Sequence, residues 1–524
     1  MPKLVADPTE AVEALFSDAP ADGPGCVVGV VRNGEILFAR GWGLANLEHR
    51  VPLTPTSRFY LASVSKQVAA LAVLMACEAG QLDLEASIRE SLSELPDDMH
   101  GVTLRHLLTH TGGVRDYLSL GSLAGVGPEH PWTEKEVIRL ICRQRGLNFA
   151  PGQDFSYSNS GYVLAAVALA RTTGKQLDAF AREHIFAPLG MTASRFQHHH
   201  GDLVPDKASG YAREGGGVWR VADSHLDVVA DGGMYASLTD MLAWTANLLA
   251  PRIGAAALRR MFTPARLTDG GATGYGMGLQ LGRHRGLSIA EHGGSHAGYR
   301  NHLLVFPTEG LGVVVLANDA AALPAVVARS VAAAFLGARL APPPPELAAP
   351  SRETVRELAG PYRSDDGEVI ALILGDDGAL SVAGLPLPLA PVAQHTFALR
   401  VDPDNFRLDF DPADGSVTVL PSSGPARRYA RCAPSAKIDC SRFCGDYQSG
   451  DIGPAICRIR QDCEALTVSF AESPPAKLQP IAAHILWSPD LGVALNFEPA
   501  ASPGFRLDGG GARGVEYLRD AAAL

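Results

Sequence analysis

The sequence predicts an α/β domain, with an antiparallel sheet flanked by helices and an inserted helical lobe, followed by two small β-units. Three observations carry this. Strand signals sit at both ends of the first 340 or so residues with helical patterns between them. A run of four prolines interrupts the chain at 342–345. Beyond it, short segments recur at offsets of 85 and 86 residues.

In the first part, Cys26–Val31 and Glu35–Ala39 flank Asn33-Gly34, a strong signal for a two-residue hairpin turn. Apolar spacing then predicts helices over 63–78, 133–143, 161–173 and 238–249. Leu303–Phe306 and Val313–Ala317 are β-rich runs that return to the sheet. After the prolines, short strands and Gly, Asp and Pro turns replace helical periods. Leu358-Ala-Gly-Pro-Tyr-Arg-Ser364 resembles Phe443-Cys-Gly-Asp-Tyr-Gln-Ser449, and Gly378-Ala-Leu-Ser-Val382 resembles Glu464-Ala-Leu-Thr-Val468. Two copies of a compact barrel or sandwich follow. The expected division is 1–340, a Pro-rich linker at 341–352, then β-units at 353–435 and 436–524.

The 524 residues are 46% hydrophobic and 19% charged, which marks a globular chain. A net charge of −11 offers no basic footprint for nucleic acid or anionic lipid, and no stretch is long and apolar enough to span a membrane. The start, Met1-Pro-Lys-Leu-Val-Ala-Asp-Pro-Thr-Glu10, lacks a basic segment followed by an apolar one, so a cytoplasmic location is the expectation. Eight cysteines, five of them within 432–463, never adopt Cys-x-x-Cys spacing and have no histidine among the last five. Packed thiols are expected, with no metal and no cofactor. His198-His199-His200 reads as solvated surface, since adjacent histidines do not converge on one ion unaided.

The Gly-x-Ser-x-Gly elbow, phosphate loop and His-Glu-x-x-His are all missing. What stands out is Ser63-Val-Ser-Lys66 at the start of an apolar helix. Positions i and i+3 share a helix face, so the amine can take the hydroxyl proton. Only seven of the 45 basic residues are lysines, yet one stands here. Lysine can be neutral when desolvated, whereas arginine stays charged. Tyr157-Ser-Asn159 lies in a polar loop that runs into the next apolar helix, with a phenol to shuttle a proton and an amide to hold a carbonyl. Glu291-His292-Gly293-Gly294-Ser295-His296 precedes the returning strands. Its glycines permit close approach of a strand edge, whose N–H at Ser295 could pair with that of Ser63 as an oxyanion hole.

Ser63-x-x-Lys66, Tyr157-x-Asn159 and His292-x-Gly294, in that order, resemble the penicillin-recognising serine hydrolases: DD-peptidases, class C β-lactamases, related esterases and D-aminopeptidases. Gly41-Trp-Gly43, Leu107-Leu-Thr-His-Thr-Gly-Gly113, Arg115-Asp116-Tyr117, Gly232-Gly233 and Tyr275-Gly-Met-Gly-Leu-Gln280 agree. The resemblance implies a β-lactamase-like first domain. It casts Ser63 as nucleophile, Lys66 as its base and Tyr157 as proton relay, with Asn159 and Gln280 lining the pocket. His292 stands where many β-lactamases carry lysine, a weaker and pH-dependent cation for a substrate carboxylate. That favours esterases or D-aminopeptidases, and the length resembles D-aminopeptidases with two similar antiparallel β-barrels. In those a loop of the last barrel meets the substrate's free amine, for which Asp490 and Glu498 are the acidic candidates. The expected substrate is a small peptide, amide or ester, with inhibition by β-lactams and a homodimer as family expectations. A carboxylesterase or β-lactamase-like hydrolase is the alternative. A non-catalytic sensor of cell-wall fragments would dispense with Ser63, Lys66 or Tyr157, and all three are present.

Overall fold

A computed structural model describes residues 7–215, 217–343, 347, 350–385, 387–399, 402–432, 439–462, 465–498, 504–509 and 511–520. The sheet of the first domain contains β1 (Cys26–Arg32), β2 (Glu35–Trp42), β3 (Gln280–His284), β4 (Leu287–His296), β5 (Tyr299–Phe306) and β6 (Leu311–Ala317). Its order is β3-β4-β5-β6-β1-β2, antiparallel throughout, so the two ends of the domain meet at the β6–β1 pair. Asn33 and Gly34 both take positive φ, 51° and 85°, the geometry an Asn-Gly hairpin turn requires.

Alternation along the strands assigns each face a layer. Val28 and Val30 of β1 pack with Val313 and Val315 of β6 against Val12 and the helix Pro324–Leu336. Val27 and Val31 face the opposite way, toward the helix Leu238–Leu249 and the helical lobe inserted between β2 and β3. That lobe contains the helices Lys66–Glu78, Tyr117–Leu123, Glu134–Cys142 and Asn159–Thr173. Thr133 and Glu136 close a capping box that starts the third.

After the turn Gly337–Arg339 the chain extends, and a new helix, Arg352–Leu358, is capped by Ser351; Pro344 and Pro345 lie outside the described residues. Two closed eight-stranded antiparallel barrels follow, from Gly360–Ser364 to Arg427–Arg431 and from Gly445–Ser449 to Ala512–Arg519. The repeat has a structural basis. Tyr362 and Tyr447 stand at the middle of the first strand of each barrel, both fully buried, and each donates its hydroxyl to the carbonyl four residues earlier.

The second barrel shares one continuous apolar core with the helical lobe, whereas the first keeps its own. Cys26, Cys77, Cys142, Cys432, Cys440, Cys444 and Cys457 are free thiols; Cys463 lies outside the described residues. Among the described residues no helix is long and apolar enough to cross a membrane.

Candidate active site

The segment Leu61–Leu74 is buried except at one residue, Ser63. Ser63 does not open the α-helix as the sequence suggested. It sits in a 3₁₀ turn, Ala62–Ser65, and the helix begins at Lys66. In a 3₁₀ turn residues i and i+3 eclipse, which stacks the lysine directly on the serine. Ala62, just before it, takes a positive φ of 48°, a costly conformation for a residue with a Cβ and one that marks functional turns.

Lys66 is fully buried, and its Nζ donates to Ser63 Oγ at 3.0 Å, Asn159 Oδ1 at 2.8 Å and the Asp231 carbonyl at 2.7 Å. Three acceptors satisfy an ammonium. On losing its proton the amine keeps two of these contacts and turns its lone pair to Ser63, the one partner able to reverse its role. The Tyr157 ring centroid lies 5.0 Å from Nζ, half-buried beside it. Asn159 spends its carboxamide oxygen on Lys66, so only its amide nitrogen can meet a substrate carbonyl. Its backbone N–H donates to Asp116 Oδ1 at 2.7 Å, which pins the start of the helix Asn159–Thr173.

β4 enters from the other side. A Cβ on Gly294 would lie 2.1 Å from the Leu61 carbonyl oxygen, so only glycine allows this strand to pass the serine turn so closely. β3 pairs with β4 only as far as Glu291, and the β4 edge from His292 to His296 has no strand beside it on that side among the described residues. Ser295 is exposed on this edge, where its N–H can converge with that of Ser63, which starts its turn with no intrahelical acceptor before it.

His292 differs from the sequence expectation. It is 4% exposed; its Nδ1 donates to the Gly293 carbonyl at 2.6 Å, and its Nε2 accepts from the Tyr275 hydroxyl at 2.9 Å. Burial, followed by the Lys66 charge, pushes its pKa down to about 3. The side chain is a neutral, hydrogen-bonded imidazole and not a cation for a carboxylate. His110 behaves alike, with its pKa held well below the ordinary value by burial and by Lys66. Its Nδ1 accepts the Ser158 N–H at 3.1 Å, and its ring stands 4.2 Å from that of Tyr157. Asp231 is a buried acid whose pKa burial raises to about 6; Tyr117 donates to one of its oxygens at 2.9 Å.

The buried histidines set a pH response, which the raised pKa of Asp231 opposes between about pH 6 and 3.8. An unfolded histidine protonates near 6.5, whereas folded His292 resists until about 3, so between those values the unfolded chain binds the extra proton. The stability intact above pH 6.5 is therefore lost progressively on acidification. Urea midpoints are expected to fall between pH 7 and 4.5, with His292→Asn flattening the slope. An imidazole resonance of His292 titrating near 6.5 in the folded protein would overturn this assignment.

Two other expectations need correction, and a third borders residues outside the described ones. Gln280 pairs with Glu291, so it shares the face opposite to His292. That face carries Glu291, bound to His302 and to Arg329 of the helix Pro324–Leu336, and Arg329 also holds Asp402 of the first barrel. Gln280 thus points away from Ser63. Asp490 accepts the Lys477 N–H at 3.0 Å, locking a turn within the second barrel. Glu498 is exposed at a strand end, with 499–503 outside the described residues. Segments of that barrel that do reach the lobe are the turn at Asp451, which pairs with Arg115, and the hairpin between strands Gly504–Gly509 and Ala512–Arg519. The Gly511 carbonyl accepts from the Asp116 N–H at 3.1 Å and from Asn148 Nδ2 at 3.1 Å, and Arg513 N–H donates to Asn148 Oδ1 at 2.7 Å.

For metals, one group among the described residues brings three donor atoms within 4.8 Å of one another: His199, His200 and Asp227, at the surface. His200 pairs with Asp227 and His198 with Asp178, so this loop is tied down by carboxylates and not simply solvated.

Known proteins share this architecture. A Beta-lactamase family model matches residues 12–337. A D-aminopeptidase of Gluconobacter oxydans (strain 621H) is 30% identical over 450 residues, covering 85% of this chain and 83% of that protein, so the likeness runs beyond the first domain. A D-aminopeptidase of Brucella anthropi is 32% identical over 313 residues, 59% of each chain. Among solved structures, an octameric penicillin-binding protein homologue from Pyrococcus abyssi has a TM-score of 0.59 at 23% identity, over 80% of this chain and 99% of that one. A D-amino acid amidase from Ochrobactrum anthropi SV3 has a TM-score of 0.53 at 24% identity, over 64% of this chain and all of that one. These two structures speak to the fold alone. With more than half its length matched by the family model and its serine turn, buried lysine and strand edge assembled as described, the chain belongs to the Beta-lactamase family.

Proposed function

We propose that this chain is a serine aminopeptidase or amidase that releases N-terminal D-amino acids from small peptides, amides or esters through an acyl-enzyme. The observation that carries the chemistry is the buried Lys66 side chain spanning Ser63, Asn159 and Asp231, with Ser63 the one residue of 61–74 that is not buried. In the first step Lys66, in its neutral amine form, takes the Ser63 proton as Oγ attacks the carbonyl carbon. The N–H groups of Ser63 and Ser295 face the oxyanion, and Asn159 Nδ2 steadies the substrate. Tyr157 passes the proton from Lys66 to the departing amine or alkoxide. Water then repeats the attack on the acyl carbon and restores Ser63.

The D-preference and the aminopeptidase reading draw on the named relatives. The neutral His292 supports them, because the site offers no fixed cation there for a substrate carboxylate. Four substrates separate the alternatives: D- and L-alanine p-nitroanilide, p-nitrophenyl butyrate and nitrocefin. The D-anilide is expected to exceed the L-anilide in kcat/KM by about a hundredfold or more. Turnover of the ester alone would replace this reading with a carboxylesterase, and turnover of nitrocefin alone with a β-lactamase. A fluorophosphonate adduct on the intact protein, absent in Ser63→Ala, checks the nucleophile by mass spectrometry.

A further inference from the structure

The two barrels descend from one repeat but fill their interiors differently. The second is packed with rings: Phe443 and Phe497 lie 4.5 Å apart, Phe497 and Phe505 5.1 Å, Phe505 and Tyr517 5.0 Å. The first leaves a cavity of 360 Å³, within the range of small-molecule sites, which start near about 300 Å³. Ile370, Val382, Leu385, Phe406, Leu408 and Val419 form its apolar wall. An eight-stranded barrel is wide enough to hold one small ligand when its side chains do not fill it.

The polar groups at the mouth define what fits. Glu368, Arg427 and Arg513 line it, but their charges are spent on one another and on Asp154, with Arg427–Asp154 at 2.7 Å, Arg427–Glu368 at 3.2 Å and Arg513–Glu368 at 3.1 Å. A charged ligand finds no free counter-ion there. Ser423 is different: it lines the cavity, and its buried hydroxyl has no hydrogen-bond partner. A buried hydroxyl without a partner is costly, and turning Ser423 about χ1 toward the cavity would let a ligand with one polar group satisfy it.

The remaining wall comes from the catalytic domain. Phe155, two residues before Tyr157, lines the cavity, and its ring centroid stands 5.9 Å from His110 and 5.8 Å from Tyr275, the two side chains that pack on Tyr157 and hold His292. A Cβ on Gly424, beside Ser423, would lie 3.2 Å from the Phe155 ring, and Gly424 donates its N–H to the Thr273 carbonyl at 2.6 Å, two residues before Tyr275.

We propose that the first barrel binds a small, uncharged, mainly apolar molecule carrying one hydrogen-bonding group, with Ser423 as its polar partner, and that occupancy alters turnover through Phe155. The binding half stands independently of the proposed function; the coupling half rests on it.

The probe is N-phenyl-1-naphthylamine, neutral, apolar and bearing one N–H, whose fluorescence rises in apolar surroundings. The full chain is expected to bind it saturably with one site. Ile370→Trp, which fills the cavity, should weaken binding by more than about tenfold, and Ser423→Ala by about fivefold. Val382→Trp serves as a second filling variant, and thermal melts identify any variant that fails to fold. Ser63→Ala should bind as the parent does, which separates this site from the catalytic cleft. Absence of saturable binding, or equal binding by a folded filling variant, overturns the site. For the coupling, saturating probe should change kcat of the parent at least about threefold and leave folded Ile370→Trp unaffected. Binding without such a change overturns the coupling, while a parent without turnover on any of the four substrates overturns the proposed function instead.

Discussion

Lys66→Arg is expected to lower kcat/KM on the preferred substrate by about 10⁴-fold, or about 5 kcal/mol of transition-state stabilisation, although it keeps the positive charge. Arginine cannot surrender a proton at any working pH, so Ser63 would lack a base. The pocket is also built for three donors on one atom: Ser63 Oγ, Asn159 Oδ1 and the Asp231 carbonyl converge on Nζ. A planar guanidinium spreads its donors and cannot meet all three. Lys66→Met gives the complementary case, since it removes the base and leaves the Asp231 carbonyl without its donor at a buried position. Both variants should lose the fluorophosphonate adduct on Ser63, measured at matched folded concentrations. Acylation of the arginine variant at more than about a tenth of the parental rate would show that the proton leaves Ser63 by another route, with Tyr157 the next group at hand.

The legible part of this site is the part written in short spacings. Ser63 and Lys66 are three residues apart, and their contact needs one turn of chain and nothing else. Tyr157 and Asn159 share a loop, and Asn33-Gly34 dictates its own turn. The barrel repeat was visible because Tyr362 and Tyr447 do the same task in each copy, closing onto the carbonyl four residues back. What escaped depends on partners far along the chain. The charge state of His292 follows from Tyr275 and from burial, and nothing in His-x-Gly encodes either. His110 and Asp231 sit in or beside segments recognisable as signatures, yet their support of Tyr157 and Lys66 appears only once the lobe closes on the sheet. Gln280 faces away through the parity of its pairing with Glu291, which a one-residue shift would reverse. Asp490 failed as a candidate because composition cannot tell which of the barrel's turns meet the lobe, whereas Glu498 borders 499–503, outside the described residues.

That hairpin carries the second large expectation. Arg115→Ala is expected to destabilise the protein by about 3–5 kcal/mol and to impair turnover without touching a catalytic group. Arg115 and Asp451 are 4% and 7% exposed and meet at 2.8 Å across the junction of lobe and second barrel. The same guanidinium donates to Gln144 Oε1 at 3.0 Å and to the carbonyls of Arg513 at 3.1 Å and Gly514 at 3.2 Å. Truncation strands a buried carboxylate and two carbonyls together. Arg145 cannot compensate: it lies 4.0 Å from Asp451 and is 81% exposed, where an ion pair contributes little. The loss passes to the site by short steps. Arg513 and Gly514 hold the hairpin whose Gly511 carbonyl binds the Asp116 N–H, and Asp116 Oδ1 in turn pins the Asn159 N–H. Asn159 then carries Lys66. Hydrogen exchange should therefore accelerate at Asp116 and Asn159 in the variant, alongside the lower urea midpoint. Replacing both partners, Arg115→Met with Asp451→Leu, should recover most of the stability, because no charge is left buried without its mate. A double variant as unstable as Arg115→Ala would place the cost in packing and not in the stranded carboxylate. Recovery of stability with turnover still impaired would show that the guanidinium's grip on the hairpin positions Asn159 in its own right.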